Sequence, residues 1–242
     1  MFQPSLSIAE RPASFEGEAV ASISYDSVGP RRNALTEGLQ RRWRRERRRR
    51  KVGRAFDMAL EIARILPANA RVLDVGCGNG FITHHLSAML GTKAIGIDLA
   101  ATTEAAIDYR QFDGRYFPVE EKSVDSVLLC YVLHHAQDIG TVLKELRRVL
   151  RVDGLAVIYE DIPTCWWDRL VCWTHDLKWR KRTGPCTFRR EREWRTVFNS
   201  AGLEIVSERA LSRWRNLAHP VRRRLYVLKA PEADVVRRRH QQ

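Results

Sequence analysis

Three glycines at alternate positions follow directly after an apolar segment that contains a carboxylate. Residues 72–80 read Val-Leu-Asp-Val-Gly-Cys-Gly-Asn-Gly, which places Asp74 beside the loop that Gly76, Gly78 and Gly80 form. Glycines so spaced let the chain turn tightly and let a ligand lie against bare main chain. The dinucleotide loop is G-x-G-x-x-G and the P-loop ends in Gly-Lys-Ser/Thr, so neither phosphate-binding pattern fits. The carboxylate instead favours a ligand with a cationic end.

Two further acids follow two further strand-like segments. Residues 94–98 form a short apolar run that ends in Asp98, where nucleoside-binding α/β folds place the carboxylate that accepts hydrogen bonds from the ribose. Residues 109–112 precede Asp113, which we expect to accept a hydrogen bond from the adenine amino group. A cationic amino-acid end, a ribose and an adenine together describe S-adenosylmethionine.

The chain resembles the class I S-adenosylmethionine-dependent methyltransferases over about residues 54–230. A glycine loop followed by two strand-end acids is the pattern of that superfamily. The chain is most similar to the small-molecule branch typified by ubiquinone and menaquinone biosynthesis methyltransferases. Further segments that carry the resemblance are 124–130 (VDSVLLC), 131–135 (YVLHH), 142–150 (VLKELRRVL) and 153–158 (DGLAVI).

The resemblance implies a Rossmann-like, doubly wound α/β sheet, mostly parallel with an antiparallel edge strand. Alternating strand and helix signals over 71–159 also predict a parallel sheet, and 203–206 and 225–228 read as the closing strands. The implied cofactor is S-adenosyl-L-methionine. The residues expected to bind it are Asp74, Gly76, Cys77, Gly78, Gly80, Asp98, Leu99, Asp113, Gly114 and Cys130.

Helical periodicity marks two segments that flank this core. Residues 35–66 are helix-prone, and 190–201 form an amphipathic helix before Gly202. Only 14 residues separate Asp98 from Asp113, so we predict a helix of one or two turns at 103–107. The apolar residues of the first helix expected to cover the sheet are Phe56, Ala59, Leu60, Ala63 and Leu66.

Candidate catalytic residues follow the fourth and fifth strands. Methyl transfer from a sulfonium is an in-line displacement that depends on positioning, and a base is needed only when the acceptor's proton must leave early. His135 is either such a base, a donor that orients the acceptor, or a residue bonded to backbone; His134 is the second choice. Glu160, with Asp161, either holds an acceptor hydroxyl or amine or hydrogen-bonds a loop.

An aromatic, irregular insertion is predicted over 161–188. It contains Trp166, Trp167, Trp173 and Trp179, which suit either a lid over the acceptor or a small satellite core. Cys165, Cys172, His175 and Cys186 provide three thiols and an imidazole, as a zinc site requires. The C-x2-C spacing of a zinc knuckle is missing, so no metal is predicted.

The formal net charge of +13 is concentrated in two flanks. Residues 31–54 contain twelve Lys/Arg and two acids, and 211–242 contain nine Lys/Arg and two acids, whereas 55–210 is nearly neutral. Clustered arginine is typical of phosphate binding, so the flanks predict an anionic partner, either RNA or a membrane surface. An extension without any partner explains the same charge.

These patterns divide the chain into three parts. We expect a basic, partly disordered arm over 1–50, a methyltransferase domain over 51–230 with its lid at 161–188, and a basic tail over 231–242. The leading interpretation is a methyltransferase acting on an O, N or C atom of a small molecule. The alternatives are an RNA-binding or RNA-modifying methyltransferase and an enzyme held at a membrane surface.

A cytoplasmic location is expected. The first 30 residues lack the cationic start and apolar stretch of a signal peptide, and no apolar run approaches the ~20 residues of a membrane span. The chain has five cysteines, an odd number, which favours reduced thiols.

Overall fold

A seven-stranded sheet forms the centre of the computed structural model, which describes residues 34–231. Residues 1–33 of the predicted arm and all of the predicted tail except residue 231 lie outside the described residues. The strands are β1 (Val72–Val75), β2 (Ile95–Asp98), β3 (Asp108–Gln111), β4 (Val124–Cys130), β5 (Leu150–Asp161), β6 (Glu204–Leu211) and β7 (Arg223–Lys229). The helices are α1 (Ala34–Ala63), α2 (Phe81–Leu90), α3 (Ile139–Val149), α4 (Trp166–Thr183) and α5 (Glu191–Ser200).

The strand order is β3-β2-β1-β4-β5-β7-β6. The first five strands pair in parallel, and β7 runs antiparallel to both β5 and β6. This arrangement confirms the predicted fold class. Successive strands are added outward from β1 on one side and outward from β4 on the other, so the strand order reverses between β1 and β4. Ligands of such folds bind beside this point, at the carboxyl ends of the strands.

Helices cover the two faces of the sheet and create two apolar cores. On one face α3 and α5 pack on the sheet, with Trp194 and Phe198 of α5 fully buried. On the other face α2 packs beside the part of α1 that lies after Arg45. The chain divides into two compact units between Arg45 and Glu46, and the sheet belongs to the second unit. The predicted arm boundary at residue 50 therefore falls inside α1.

The buried side of α1 is rotated from the predicted one. Phe56 and Leu60 are 46% and 37% exposed, although the sequence pattern assigned both to the core. Ala55 and Ile62 are buried instead, together with Ala59 and Leu66. Spacings of four and three residues keep Ala55, Ala59 and Ile62 on one helix face, and Leu66 follows in the turn after α1.

The connection from β2 to β3 contains no helix, so the short helix predicted at 103–107 is wrong. The connection instead runs along the glycine loop and is bonded to it. Thr103 Oγ1 donates to the Gly78 carbonyl at 3.0 Å, and the Ala105 N–H donates to the Asn79 carbonyl at 3.0 Å. Hydrogen bonds to the loop replace those that a helix would make within itself.

The insertion predicted to be irregular contains the 18-residue helix α4. The interior-facing side of α4 is polar, because Asp168 and Asp176 are buried there beside Cys172. Asp168 accepts hydrogen bonds from Thr164, and Asp176 accepts one from the Cys186 N–H at 2.7 Å. Large apolar side chains of α4 are exposed instead. This inverted pattern hides the helix from a search for buried apolar periodicity.

Candidate functional site

Backbone hydrogen bonds fasten the glycine loop to the end of β2. The N–H groups of Gly76 and Cys77 both donate to the Ile97 carbonyl, at 2.7 and 3.1 Å. One residue further along β2, Asp98 accepts a hydrogen bond from the Gly78 N–H at 2.8 Å. The loop that follows β1 is therefore held across the carboxyl end of the neighbouring strand.

Two of the glycines serve different purposes. A Cβ on Gly76 would lie 2.5 Å from Cγ2 of Val132, so this glycine permits close contact with the turn after β4. Gly78 has a φ of +56°, and a Cβ there would meet no described atom within 4 Å. The open space beside Gly78 is where a ligand can approach the bare main chain.

Asp98 and its neighbours border that space. The second carboxylate oxygen of Asp98 accepts a hydrogen bond from the Ala100 N–H at 3.1 Å. Both oxygens retain lone pairs, so the carboxylate is held in place and can accept further hydrogen bonds from a ribose. Leu99 beside it is 46% exposed, and a Cβ on Gly114 would lie 3.2 Å from the Leu99 side chain.

Asp113 lies at the same edge but is engaged locally. The Phe112 N–H donates to the Asp98 carbonyl, which brings the end of β3 beside the end of β2. The Asp113 carboxylate is exposed and accepts hydrogen bonds from the N–H groups of Tyr116 and Arg115, which lower its pKa. Its contact with adenine stays a prediction.

Asp74 is buried in β1, where its carboxylate accepts a hydrogen bond from Thr83 Oγ1 at 2.6 Å. Burial raises the pKa of Asp74 to about 7, and the Thr83 hydrogen bond offsets part of that rise. A cation placed beside this buried carboxylate would stabilise its ionised form. Burial also raises the pKa of the Cys77 and Cys130 thiols, so both are neutral packing groups near neutral pH.

A second group of polar residues follows β4 and ends β5. The buried His134 places Nδ1 2.7 Å from Oε2 of Glu160, and Oε1 of Glu160 accepts the Leu133 N–H at 2.8 Å. Glu160 is therefore occupied with positioning the turn after β4. Burial opposes protonation of His134, but the Glu160 carboxylate outweighs it and raises the pKa of the imidazole.

His135 lies beside α4 rather than at backbone groups. Its Nδ1 is 3.1 Å from Thr183 Oγ1, and its Nε2 is 3.2 Å from Nε2 of His175. Burial, followed by the neighbouring imidazoles, lowers the pKa of His135 to about 3 and that of His175 to about 4. Both side chains are neutral at pH 7.

Sequence reasoning missed the partners of Asp161. This buried carboxylate contacts Nε2 of His219 at 2.8 Å and Nε of the buried Arg223 at 3.0 Å. Asp161 and Arg223 face each other across the antiparallel β5–β7 pair. No local motif reveals that contact, because it depends on the register of two strands far apart in sequence.

The four residues considered for zinc do not assemble as one set in the described part of the chain. The cluster that could hold a metal is formed by His134, His135 and His175. All five cysteines are free thiols, and Cys186 Sγ lies 3.3 Å from His135 Nδ1. The residues that could hold a metal thus differ from the four that the sequence brought into consideration, of which only His175 is shared.

Two clefts differ in their relation to this edge of the sheet. One of about 870 Å³ is lined by residues around the start of β5, such as Leu150 and Arg151, so it lies at the opposite edge from the glycine loop. One of about 410 Å³ lies beside α4 and is lined in part by Cys186 and Phe188. Phe188 also stacks on His134 with ring centroids 4.7 Å apart, so one wall residue of the smaller cleft contacts the polar cluster.

Known proteins match the region that builds this site. Residues 73–158 match the family described as "Methyltransferase domain". The chain is 30% identical over 166 residues to a 2-phytyl-1,4-naphtoquinone methyltransferase of Synechococcus elongatus, which covers 62% of this chain and 64% of that relative. It is 37% identical over 98 residues to a ubiquinone biosynthesis O-methyltransferase of Bradyrhizobium diazoefficiens, which covers 36% and 38%. The chain thus spans less than two thirds of these relatives' length.

Solved structures share the fold. A methyltransferase from Methanosarcina mazei that uses S-adenosylmethionine superposes with a TM-score of 0.56 at 18% identity, covering 71% of this chain and 97% of the other. The domain match and these relatives show that the chain is similar in sequence to S-adenosylmethionine-dependent methyltransferases, and the superposition shows that it shares their fold.

S-adenosylmethionine, the cofactor expected from the sequence, is chemically compatible with the site. Gly78 offers bare main chain to the ligand, and the Asp98 carboxylate beside it can accept hydrogen bonds from a ribose. The buried Asp74 carboxylate can pair with an ammonium group.

Residues 34–231 include no helix that is both long and apolar enough to span a membrane.

We predict that S-adenosylmethionine binding weakens about tenfold between about pH 7 and pH 5.5. The Asp74 pKa is raised to about 7, so below that pH a proton competes with the ligand's ammonium group for the carboxylate. Calorimetry across this range measures the effect and the accompanying proton uptake or release. Asp74→Asn should bind weakly with a flat pH profile, whereas Asp125→Asn, at the opposite edge, should retain the slope. A flat wild-type profile contradicts the assignment.

Proposed function

We propose that the protein transfers a methyl group from S-adenosylmethionine to a small-molecule acceptor. The observation that carries this proposal is the open space beside Gly78, bordered by the Asp98 carboxylate that holds the same loop. When bound, the cofactor supplies an electrophilic methyl group on a sulfonium. The chain's own contribution is to hold the donor on main chain and carboxylates and to bring an acceptor to the same edge.

The acceptor side of the site lies after β4 and β5. Val132 contacts Gly76, and the turn that follows leads directly into His134 and His135. Phe188, a wall residue of the cleft beside α4, stacks on His134 of this turn. We therefore assign acceptor binding to the region between this turn and α4, as the lid prediction for 161–188 implies.

Positioning, rather than a lone general base, explains the chemistry best. Both ring nitrogens of His135 lie against neighbours, Thr183 on one side and His175 on the other. Both oxygens of Glu160 are engaged by the Leu133 N–H and by His134. Neither candidate has an unengaged atom aimed at an acceptor, so we propose that Glu160 acts as a positioning residue and His135 as part of the acceptor wall.

The proposed acceptor is a lipid-soluble aromatic compound with oxygen substituents. Support comes from the relatives, one named for 2-phytyl-1,4-naphtoquinone and one for ubiquinone biosynthesis. Further support comes from the aromatic wall formed by Phe188 and Trp179 near the histidines. A cytoplasmic location is part of the same proposal, supported by the five free thiols.

We predict that labelled S-adenosylmethionine transfers its methyl group to a reduced naphthoquinone or a related phenol, and not to total RNA. Asp98→Asn should raise the cofactor KM about 10- to 100-fold, because an amide oxygen accepts weaker hydrogen bonds from the ribose than a charged carboxylate does. Asp108→Asn, which alters an exposed carboxylate at the start of the adjacent strand, is the matched control and should leave the KM unchanged. Label found in RNA supports the RNA-modifying alternative instead. Cofactor binding without transfer to any small molecule contradicts the proposed activity.

We propose that an exposed apolar surface on α4, rather than the basic flanks alone, contributes to binding an anionic partner. Trp166, Leu170, Trp173 and Leu177 are 42–73% exposed, and their spacing of four, three and four residues puts them on one helix face. We call these four residues the α4 surface.

The charges around the α4 surface favour an anionic lipid bilayer. Both acids of α4 are buried, so its outward charges are basic. An apolar stripe with tryptophans and basic margins is typical of helices that lie in a membrane interface. Contact with a bilayer would also bring a lipid-soluble acceptor to the cleft beside α4. The basic residues of α4 are Arg169, Lys178, Arg180, Lys181 and Arg182.

We predict that the protein binds phosphatidylserine-containing vesicles and that Leu170→Gln with Trp173→Gln weakens binding at least about tenfold. Burial of two large apolar side chains is lost, and each contributes roughly 1.5–3 kcal/mol when fully buried. Vesicle co-sedimentation at two salt concentrations measures the effect. Val206→Gln, which alters a 58% exposed residue on β6, is the control and should bind normally. Equal vesicle binding by the double variant contradicts the membrane proposal, as does a preference of the wild type for RNA.

A further inference from the structure

Three imidazoles converge after β4 and on α4. His134, His135 and His175 each present a ring nitrogen, and the three nitrogens lie within 4.8 Å of one another. The ring centroids of His134 and His135 are 4.3 Å apart, and those of His135 and His175 are 5.1 Å apart. Imidazole nitrogens are preferred ligands of zinc and related transition metals.

His134 is oriented as a metal ligand would be. Its Nδ1 faces the Glu160 carboxylate at 2.7 Å, which assigns the ring proton to Nδ1 and leaves a lone pair on Nε2. The side chain is 1% exposed, and Nε2 has no hydrogen-bond partner among the described residues. An unpartnered buried acceptor is costly in a protein interior. A carboxylate–histidine pair that leaves the outer nitrogen free is the usual outer support of a histidine–metal bond.

The other two histidines face each other in a ligand-like arrangement. Nε2 of His135 and Nε2 of His175 are 3.2 Å apart. Zinc–nitrogen bonds of about 2.0–2.1 Å at the tetrahedral angle place two ligand nitrogens about 3.3 Å apart. Thr183 Oγ1 lies 3.1 Å from Nδ1 of His135, where it can accept the ring proton and leave Nε2 free for an ion.

We propose that His134, His135 and His175 bind one divalent transition-metal ion of the zinc class. Three histidine ligands leave the fourth position of a tetrahedral ion open, as in catalytic rather than structural zinc sites. Binding of the ion does not depend on the proposed function, but the role of the ion rests on that function. At the acceptor side of the site, the ion would hold an oxygen of the methyl acceptor and lower the pKa of the acceptor's hydroxyl group.

The location supports that role. Val132, two residues before His134, contacts Gly76 of the loop assigned to the methyl donor. Phe188, which lines the cleft beside α4, stacks on His134. His134 is therefore close in sequence to a residue that contacts the donor loop and is itself in contact with a wall residue of the cleft.

The test is titration of tag-free, chelator-treated full-length protein with Zn²⁺ by calorimetry and with Co²⁺ by visible absorption. We expect one ion per chain and the intense absorption of tetrahedral Co²⁺. His135→Gln with His175→Gln should abolish both signals, and these half-buried positions tolerate a side chain of similar size. Glu160→Gln should weaken ion binding about 10- to 100-fold, because it alters only the support of His134. Circular dichroism confirms that each variant is folded.

His84→Gln is the matched control, because His84 is exposed on α2 and distant in sequence from the cluster. It should bind the ion as the wild type does. Wild-type protein that takes up no stoichiometric ion overturns the proposal, and so does unchanged uptake by the double variant. S-adenosylhomocysteine binding by the metal-free protein is measured separately, so that failure of the ion site and failure of the cofactor site give different results.

Discussion

The Ile97 carbonyl accepts hydrogen bonds from two successive N–H groups of the glycine loop, and the rest of the site depends on this attachment. The carboxylate of Asp98, the next residue, accepts a hydrogen bond from a third N–H group of the same loop. The end of β2 therefore holds the backbone of the loop and places a carboxylate beside it. The connection from β2 to β3 has no helix because it is bonded to the loop instead. Gly76 then allows Val132 to pack against the loop from the other side, which links the donor half of the site to the acceptor half.

The acceptor half is organised by buried charge. Glu160 and Asp161 end β5 inside the protein, where isolated carboxylates would be strongly destabilising. Glu160 is compensated by His134 and a backbone N–H, and Asp161 by His219 and Arg223. These contacts hold the turn after β4, β5 and β7 in a fixed relation at the edge where ligands bind. The same compensation leaves the outer nitrogen of His134 unpartnered among the described residues, which is the basis of the proposed ion site.

The donor half was predictable from sequence because its pieces are local. Asp74, the glycines and Asp98 lie at ends of short apolar strands, and the structure brings the loop and Asp98 together as predicted. The sheet, its antiparallel edge and the type of most elements follow from the same alternation. The sequence did not predict helix α4, because its buried side is polar and its apolar side is exposed. The buried face of α1 was predicted incorrectly, because both candidate faces carry apolar residues. The histidine cluster and the Asp161–Arg223 pair combine residues about 40 or more positions apart, so only tertiary packing reveals them.

S-adenosylmethionine is proposed to bind in the space beside Gly78. The decisive measurement is calorimetry of S-adenosylhomocysteine binding to Gly78→Val, with Gly91→Val as the matched control. Both glycines have positive φ and neither Cβ clashes, so both variants carry a similar backbone strain of about 1–2 kcal/mol, but Gly91 ends α2 away from the loop. We expect Gly91→Val to bind as the wild type does, and Gly78→Val to be folded and to show no binding. Normal binding by Gly78→Val would rule out this position for the ligand, because a side chain would then occupy it without consequence.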